Sequence, residues 1–350
     1  MIIKKINDNE FFKLKERWDY LVIKNETNSV FLSFDWMCTW WKHNNHGKEL
    51  YVLVAIEKDI IGIAPLMKSK GFMSKIEFIG TPESDYTDFI TPYKKRHVIK
   101  KFYDYLIQNE PGSYVKLSEI PEFSSTITIT NDILNKRYQI PFCNYTSYID
   151  IDKIGKLKKA YRKKFRRLKK QGEVNFEQLS KQESKELLDT FVIMHKENWA
   201  TRKQKGLFLL KTQINWFEEL IEKDLLRFWV LNINTVPISI RGVLQWQGSR
   251  DLFAHAMSEN HRRLAPGTNS LMMIESIGDK IGFGRGKESY KKAFVKNFEK
   301  NMSIEIYPNL LIQNINRPLN KLRKKIMDRP GLHKRLVQIR DRFELMIGKV

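Results

Sequence analysis

The stretch LLRFWVLNINTVPISIRGVLQWQGSRDLFAHAM, residues 225–257, decides how the chain folds. Its apolar, β-branched and aromatic residues fall into three runs, 225–232, 236–247 and 251–257, and Gly248-Ser249 marks the second link between them. Runs of this length and composition are typical of β-strands. Because two segments with helical periodicity precede them, the stretch predicts a β-meander that follows a pair of helices.

A similar arrangement is predicted in the first half of the chain. Two helical segments up to about residue 45 precede strand-like runs at 50–57, 60–68 and 76–79. Equivalent positions have nearly equal spacing, 10 and 15 residues in the first half against 10 and 14 in the second: Tyr51, Ile61 and Ile76, then Phe228, Ile238 and Leu252. Internal duplication explains this match, and chance similarity between two common β-meanders is the alternative.

The duplication predicts an α/β protein of two tandem domains, each a mixed, mostly antiparallel sheet flanked by helices. We expect an N-terminal domain over residues 1–150 and a C-terminal domain over 151–316 that begins with a basic helix. A basic helical tail, 317–350, follows.

Composition excludes several classes of protein. The chain of 350 residues has two cysteines, Cys38 and Cys143, which are too few for a disulfide scaffold or a thiolate metal cluster. Its longest apolar runs, such as 51–56, are far shorter than the roughly 18 residues of a membrane-spanning helix. The charged start MIIKKINDNEFFKLKE is unlike a signal peptide. These features predict a cytoplasmic protein.

The net charge of +22 is concentrated in two stretches. Residues 153–170 hold eleven Lys/Arg and no acid, and residues 317–350 hold eleven Lys/Arg and three acids. Apolar residues in the first stretch recur at helical spacing, which predicts an amphipathic helix with a cationic surface. The expected partners are a phosphate-bearing substrate, tRNA or the inner face of an anionic membrane, and a merely solvated surface is the alternative.

Several short motifs occur in a fixed order between residues 30 and 295. They are FxxFxWxxxW from Phe31, Pro65-Leu66, Ile79-Gly80 followed by DYxD from Asp85, the basic helix from Tyr161, His195-x-x-x-Trp199, APGT from Ala265, and RGxExYK from Arg285. In this order the chain resembles the double-domain branch of the GNAT acyltransferase superfamily. That branch includes CelD-type cellulose-biosynthesis acetyltransferases and, more distantly, Fem-type aminoacyltransferases. The resemblance implies two tandem GNAT-like domains.

The resemblance also implies acyl-CoA as a co-substrate. No metal site is expected, because His43 and His46, three positions apart, have no nearby carboxylate or thiolate partner in the sequence. In that superfamily the amino end of a helix receives the cofactor's pyrophosphate, because its free N–H groups and dipole favour an anion. The corresponding segment here is 261–268, which gives four candidate cofactor-binding residues: Arg263, Gly267, Thr268 and Asn269. Pro266 removes one donor from this loop. An ordinary proline-containing loop capped by Thr268 is the alternative.

Catalytic roles carried over from the resemblance fall on six residues. Acyl transfer needs a base for the nucleophile and a proton donor for the leaving group. The candidates are the carboxylates Asp85, Asp88 and Glu288, Tyr290 as proton donor, Lys291 as charge stabiliser, and His195. The alternatives are turn capping by Asp85 and Asp88, a solvated Lys291 and a packed His195.

Two further positions bear on the site. Gly282 occupies the apparent position of an aspartate in the resembling family, so that acid is absent or supplied from elsewhere. His255 lies in an apolar strand, where it can act as a base or form a hydrogen bond in the core.

Three functions remain open. The first is an acyltransferase, using acyl-CoA, that modifies an amine or hydroxyl of a sugar or cell-envelope precursor. The second keeps the fold and takes aminoacyl-tRNA as donor, bound through the cationic helix. The third is a non-catalytic adaptor for anionic surfaces or nucleic acid, suggested by Gly282 and Pro266.

Overall fold

The computed structural model describes residues 1–69, 74–134, 138–150, 163–201, 208, 211–274 and 281–308. These residues form two compact units. Unit 1 comprises the described residues up to Thr146 together with those from Glu299 onward, and unit 2 comprises those from Ser147 to Phe298. We number the helices and strands in chain order.

Unit 1 contains helices before and after its first meander in the chain. They are α1 (Asp8–Phe11), α2 (Lys15–Lys24), α3 (Phe34–Asn44), α4 (Lys95–Asn109) and α5 (Ser125–Ile133). Ser33 caps α3, because its side chain accepts a hydrogen bond from the Trp36 backbone N–H. The helix then buries Trp36, Trp40 and Trp41.

The strands of unit 1 form two groups. The strands are β1 (Ile2–Lys5), β2 (Lys48–Leu50), β3 (Leu53–Ile56), β4 (Ile60–Ala64), β5 (Leu66–Ser69), β6 (Lys75–Phe78), β7 (Tyr114–Pro121), β8 (Tyr138–Gln139), β9 (Phe142–Tyr148) and β15 (Glu299–Ile306). One group has the order β1-β3-β4. The other runs β9-β15-β7-β6-β5-β2, antiparallel except for the parallel pair of β6 and β7. Helix α4 buries its apolar face against these strands.

Pro65 separates β4 from β5 inside the predicted strand 60–68. Because proline has no backbone N–H, it interrupts the ladder. Its carbonyl accepts a hydrogen bond from Ile79 N at 2.9 Å. The predicted single strand is therefore two short ones that pair with different neighbours.

Unit 2 contains one sheet with helices on both faces. Its helices are a basic helix at 163–169, α6 (Lys181–Glu186), α7 (Leu188–Thr201), α8 (Lys211–Glu222) and α9 (Pro266–Met273). Its strands are β10 (Val174–Gln178), β11 (Leu226–Ile233), β12 (Val236–Trp246), β13 (Ser249–Met257) and β14 (Ile281–Arg285). They run in the order β10 to β14, antiparallel up to β13, and β14 is parallel to β13. The predicted second meander is confirmed.

The two units share a sequence of elements. In each, helices precede antiparallel strands, and the last meander strand then pairs in parallel with a strand reached through a helix. The parallel pairs are β6 with β7 and β13 with β14, joined through α4 and α9. This repeated topology supports the predicted duplication.

The unit boundaries differ from the predicted domains. The division falls between Thr146 and Ser147, and β15, predicted to belong to the second domain, belongs to unit 1. The physical reason is its pairing, since β15 forms antiparallel ladders with β7 and β9. The first half of the basic stretch and the tail 317–350 lie outside the described residues.

Candidate functional site

The parallel strands of unit 2 form a fork. Strands β13 and β14 pair only at Arg250 with Ile281 and at Asp251 with Gly282. The buried Asp251 side chain lies against Gly282, because a Cβ built on that glycine would be 1.9 Å from Asp251 Oδ1. A carboxylate on β13 therefore lies against the position at which the resembling family has an aspartate.

The two faces of the sheet at the fork have different neighbours. Leu252 packs with Leu271 and Met272 of α9. Phe253 stacks on Phe217 of α8, with ring centroids 5.6 Å apart. Since Asp251 directly precedes Leu252 on the strand, its side chain faces away from α9.

A buried polar network joins the sheet to the first turn of α9. Ser239 Oγ donates to Ser270 Oγ at 3.1 Å, and Ser270 Oγ donates to the Gly267 carbonyl at 3.1 Å. His255 Nε2 lies 2.9 Å from Ser239 Oγ. Because the Ser239 hydroxyl donates to Ser270, its oxygen is an acceptor for His255 Nε2 in the tautomer that carries the hydrogen on this nitrogen.

Arg241, which is on β12 like Ser239, completes this network. Its Nε donates to Ser270 Oγ at 2.9 Å, and its Nη2 donates to the Gly267 carbonyl at 2.6 Å. Burial lowers the pKa of Arg241 to about 10, whereas the negative charge of ionised Tyr290 acts to raise it. Among the described residues Arg241 forms no ion pair with a carboxylate. A guanidinium buried in this way favours a site that receives an anion.

Sequence reasoning missed Arg241, Ser239 and Ser270. The available signal was the alternation of Ser239 and Arg241 in an otherwise apolar strand, which places both on one face. Helix α9 then supplies the facing Ser270.

The start of α9 holds the predicted cofactor-binding residues. Ala265 adopts a left-handed conformation with φ of 52°, and Pro266 occupies the first helical position. The backbone N–H groups of Thr268 and Asn269 both donate to Ala265 O. In the described part of the chain, the Gly267 N–H has no hydrogen-bond partner. The helix therefore offers an anion fewer amides than an open glycine loop would.

Gly267 and Asn269 are fixed by their surroundings, whereas Arg263 is exposed. A Cβ on Gly267 would lie 2.8 Å from His255 Cε1, so the glycine allows the helix to approach the imidazole. Asn269 Nδ2 donates to Leu264 O at 2.8 Å. Its buried Oδ1 has no partner among the described residues.

The loop after β14 carries Glu288, Tyr290 and Lys291. Lys291 is buried, and its ammonium donates to the carbonyls of Gly284 and Arg285. It also pairs with Glu288 Oε2 at 3.1 Å. The predicted alternative of a solvated lysine is therefore wrong, and these contacts hold the loop against the end of β14.

Tyr290 is the exposed member of this loop. Tyr290 is 53% exposed, and its ring packs edge-on against the Phe283 ring with 5.8 Å between the centroids. Its electrostatic interaction with Arg241 connects the loop with the network under α9. The structure thus places Glu288, Tyr290 and Lys291 together on the loop after β14, in the same unit as Gly267.

His195 lies in an aromatic cluster on α7. Trp199 Nε1 donates to His195 Nε2 at 2.8 Å, and Phe208 packs edge-on against the imidazole at 5.0 Å between centroids. This buried arrangement favours the packing role.

Asp88 lies in unit 1 within a set of four hydrogen-bond donors. Thr27 Oγ1, Ser124 Oγ and Thr126 Oγ1 each donate to its carboxylate at 2.6 Å, and Phe89 N donates at 2.8 Å. Burial raises the pKa of Asp88 against the effect of these donors. Its contacts favour a structural role, because they tie three separate segments of unit 1 to one buried carboxylate.

Asp85 lies near Asp88 in the same buried segment. Its backbone carbonyl accepts from Asn301 Nδ2 at 2.8 Å. The adjacent Thr87 N donates to Glu119 O at 3.0 Å, and its hydroxyl donates to Ser118 O. The segment thus lies along the edge of β7, beyond the point at which β6 and β7 stop pairing.

Comparisons with known proteins agree with this topology. Residues 155–292 match the family model for an acetyltransferase (GNAT) domain. FemX superposes with a TM-score of 0.63 at 11% identity, over 91% of this chain and 100% of FemX. The chain has a double-domain GNAT-like fold. The predicted resemblance and fold class are confirmed.

Two more solved structures share this GNAT-like fold. A conserved protein of unknown function from Bacteroides thetaiotaomicron has a TM-score of 0.62 at 12% identity, over 87% of this chain and 100% of its own. L-PGS from Bacillus licheniformis has a TM-score of 0.54 at 13% identity, over 92% and 96% of the respective chains. No curated protein has a significant sequence match.

The described residues of this GNAT-like chain show neither a metal-binding cluster nor a membrane-spanning helix. They contain no group of three or more His, Cys, Asp or Glu side chains placed to hold a metal ion. None of their helices is both long enough and apolar enough to cross a bilayer.

Proposed function

We propose that unit 2 is an acyltransferase that moves an acyl group from acyl-CoA to an amine or hydroxyl of a sugar or cell-envelope precursor. The observation that carries the proposal is the coincidence of the GNAT match, residues 155–292, with the β13–β14 fork and the start of α9. Beyond the pair of Asp251 and Gly282, β13 and β14 separate. No described segment of unit 2 is paired with either strand in the gap between them.

The donor's phosphates are proposed to bind at the amino end of α9. Support comes from the Gly267 N–H, which has no partner among the residues that the structure describes, from the helix dipole and from the exposed Arg263. Arg241 adds a buried positive charge beside the same turn. Thr268 and Asn269 complete this part of the proposed site, although their own N–H groups bond to Ala265.

Proton transfer is proposed to involve both sides of the fork. The acceptor must lose a proton as it attacks the acyl carbon, and the departing thiolate must gain one. Asp251 is our candidate base, because its carboxylate lies at the fork on the face away from α9. Tyr290 is the candidate proton donor, because it carries an exposed hydroxyl on the loop after β14. Glu288 is a second candidate base, and Lys291 positions the loop.

The remaining predicted catalytic residues are proposed to be structural. Asp88 is surrounded by donors, Asp85 belongs to the segment along β7, and His195 is packed among aromatic rings. We expect their substitution to change stability, with no specific effect on chemistry.

The proposal is tested by release of free thiol from acetyl-CoA in the presence of candidate amino sugars. We expect release to require unit 2, so that Gly267→Val abolishes donor binding and Tyr290→Phe slows turnover about 100-fold. The matched control is Tyr93→Phe, which removes the hydroxyl of an exposed tyrosine that lies in unit 1 instead of unit 2. Failure to bind any acyl-CoA would contradict the proposal.

A second candidate function has support from the basic helix. Its described part, 163–170, has six Lys/Arg and no acid. Leu168 and Phe165 pack in one cluster with Leu264 and Met273, which places this helix beside the start of α9. Such a surface suits a polyanionic donor, and aminoacyl-tRNA is the alternative to acyl-CoA.

Salt dependence separates the two donors. Binding of tRNA through phosphate contacts should weaken steeply between 50 and 200 mM salt, by roughly 10³-fold if six phosphates are contacted. The double change Arg166→Gln and Arg167→Gln should flatten that slope, whereas acetyl-CoA binding should change little. Vesicles of anionic lipid test the membrane partner and the peripheral location. An adaptor is indicated if alanine at Glu288, Tyr290 and Lys291 leaves biological activity intact.

A further inference from the structure

Unit 2 has an open groove of about 640 Å³ whose lining includes no residue of α9. One wall is α7, and the other is formed by the start of β12 and the turn after β13. The lining residues are Thr190, Met194, Glu197, Ala200, Val236, Pro237, Ser258, Glu259 and Asn260. The volume is in the range of small-molecule sites.

The α7 wall is one stripe of the helix. Thr190, Met194 and Glu197 are separated by four and three positions, so they lie on the same face. The neighbouring stripe, which contains His195 and Asn198, is buried. The groove therefore has a well-supported wall.

Glu259 is held in position on the opposite wall. Asn198 Nδ2 donates to Glu259 Oε1 at 2.8 Å and to the Met257 carbonyl at 2.8 Å. Met257 N donates back to Asn198 Oδ1 at 2.8 Å. These bonds fix Asn198, and with it Glu259, relative to the end of β13.

The groove has an excess of negative charge. Arg262 lies 3.3 Å from Glu259 Oε2 and balances that carboxylate. Glu197 forms no ion pair within the described residues, so one negative charge remains. Glu197 is also near the carboxyl end of α7, where the helix dipole disfavours an anion and favours a cation. A ligand with one positive charge would relieve both effects.

The rest of the lining is suited to an aliphatic chain. Val236 is 53% exposed, and Met194 and Pro237 extend the apolar wall. Methionine adapts readily to ligands of different shape.

We propose that this groove binds a primary alkylammonium group, with the ammonium between Glu197 and Glu259 and the alkyl chain on Met194, Val236 and Pro237. The α7 wall belongs to the helices that precede the meander, whereas the proposed donor site is at α9. The proposal concerns binding alone and holds whether or not the acyltransferase proposal does.

The test is titration of the full chain with pentylammonium chloride and, as a neutral analogue, 1-pentanol, followed by NMR or calorimetry without any acyl donor. We expect the amine to bind and the alcohol to bind at least tenfold more weakly. Glu197→Gln should weaken amine binding by roughly three- to fivefold, and adding Glu259→Gln should weaken it further. The matched control is Glu186→Gln, an exposed carboxylate on α6 outside the groove.

Three results would overturn the proposal: no amine binding, equal binding of the alcohol, or equal binding by the Glu197→Gln variant with its thermal stability unchanged. Acetyl-CoA binding is measured separately on the same variants. Intact donor binding without amine binding rejects the groove alone, whereas amine binding without donor binding rejects the acyltransferase proposal alone.

Discussion

The last paired residues of the two parallel forks differ sharply. In unit 1 the pair is Ile76 with Val115, both buried and apolar. In unit 2 it is Asp251 with Gly282, a carboxylate against a glycine. The same topology thus carries a core contact in one unit and a polar group in the other.

The space beyond each fork differs in the same sense. In unit 1 the edge of β7 is taken by Thr87, whose N–H and hydroxyl bond to the β7 backbone. In unit 2 the carbonyls near the end of β14 bond to the Lys291 ammonium. In unit 1 the segment that contains Thr87 therefore completes the sheet. The corresponding position in unit 2 is the better candidate for a catalytic site.

Removing the Asp88 carboxylate of unit 1 should have the largest effect on the free energy of unfolding. Asp88→Ala leaves three hydroxyls and one N–H without their acceptor, and we expect a loss of about 3 kcal/mol in unfolding free energy. Hydrogen exchange measures this loss, with faster exchange expected in unit 1 amides. Asp104→Ala, which removes an exposed carboxylate on α4, is the control. Equal effects of the two changes would show that Asp88 is no anchor.

The unit 2 fork should resist a side chain at its glycine. Gly282→Ala places a methyl group on the Asp251 carboxylate, and we expect a cost of about 2 kcal/mol from overpacking. The second change Asp251→Gly should recover part of this cost, because it empties the same space. A double-mutant cycle on unfolding free energies measures the coupling. Strict additivity would show that the two positions do not compete.

The network under α9 should contribute less. Ser270→Ala removes the acceptor of both Arg241 Nε and Ser239 Oγ, and we expect a loss of about 1 kcal/mol. Ser249→Ala, which removes a hydroxyl bonded only within its turn, is the control. Acetyl-CoA affinity measured on both variants shows whether the network also supports the donor site. A loss no larger than that of the control would contradict a structural role for Ser270.

Much of the fold follows from local sequence. The meander of unit 2 is found within one or two residues of its predicted bounds, because its strands are long and its turns carry Asn234 and Gly248 with positive φ. The affiliation of β15 is not readable locally, since its partners β7 and β9 are more than 150 residues earlier in the chain.

The candidate site is less accessible to sequence reasoning. Motif order indicated Gly267 and Tyr290 as candidates. Arg241 becomes a candidate only in the folded structure, where β12 and α9 meet and its side chain bonds to the Gly267 carbonyl. Asp88 is the opposite case, because the motif makes its carboxylate a catalytic candidate, whereas its donors Thr27 and Ser124, which favour a structural role, lie 61 and 36 residues away. Side chains brought together from separate elements decide both cases.

The smallest predicted effect is a pH dependence that belongs to unit 1 alone. Burial raises the pKa of Asp88 in the folded state above its unfolded value. The folded protein therefore holds this proton more tightly, and the associated stability is fully present below the unfolded pKa, about 3.9, and is lost as pH rises through the folded pKa. Asp88→Asn has no such proton, so the stability advantage of the natural protein over this variant should narrow from pH 4 towards neutrality. Hydrogen exchange of unit 1 amides at several pH values, with rates corrected for intrinsic exchange, measures the difference. A gap that widens with pH would mean that the four donors outweigh burial and that Asp88 is held as an anion.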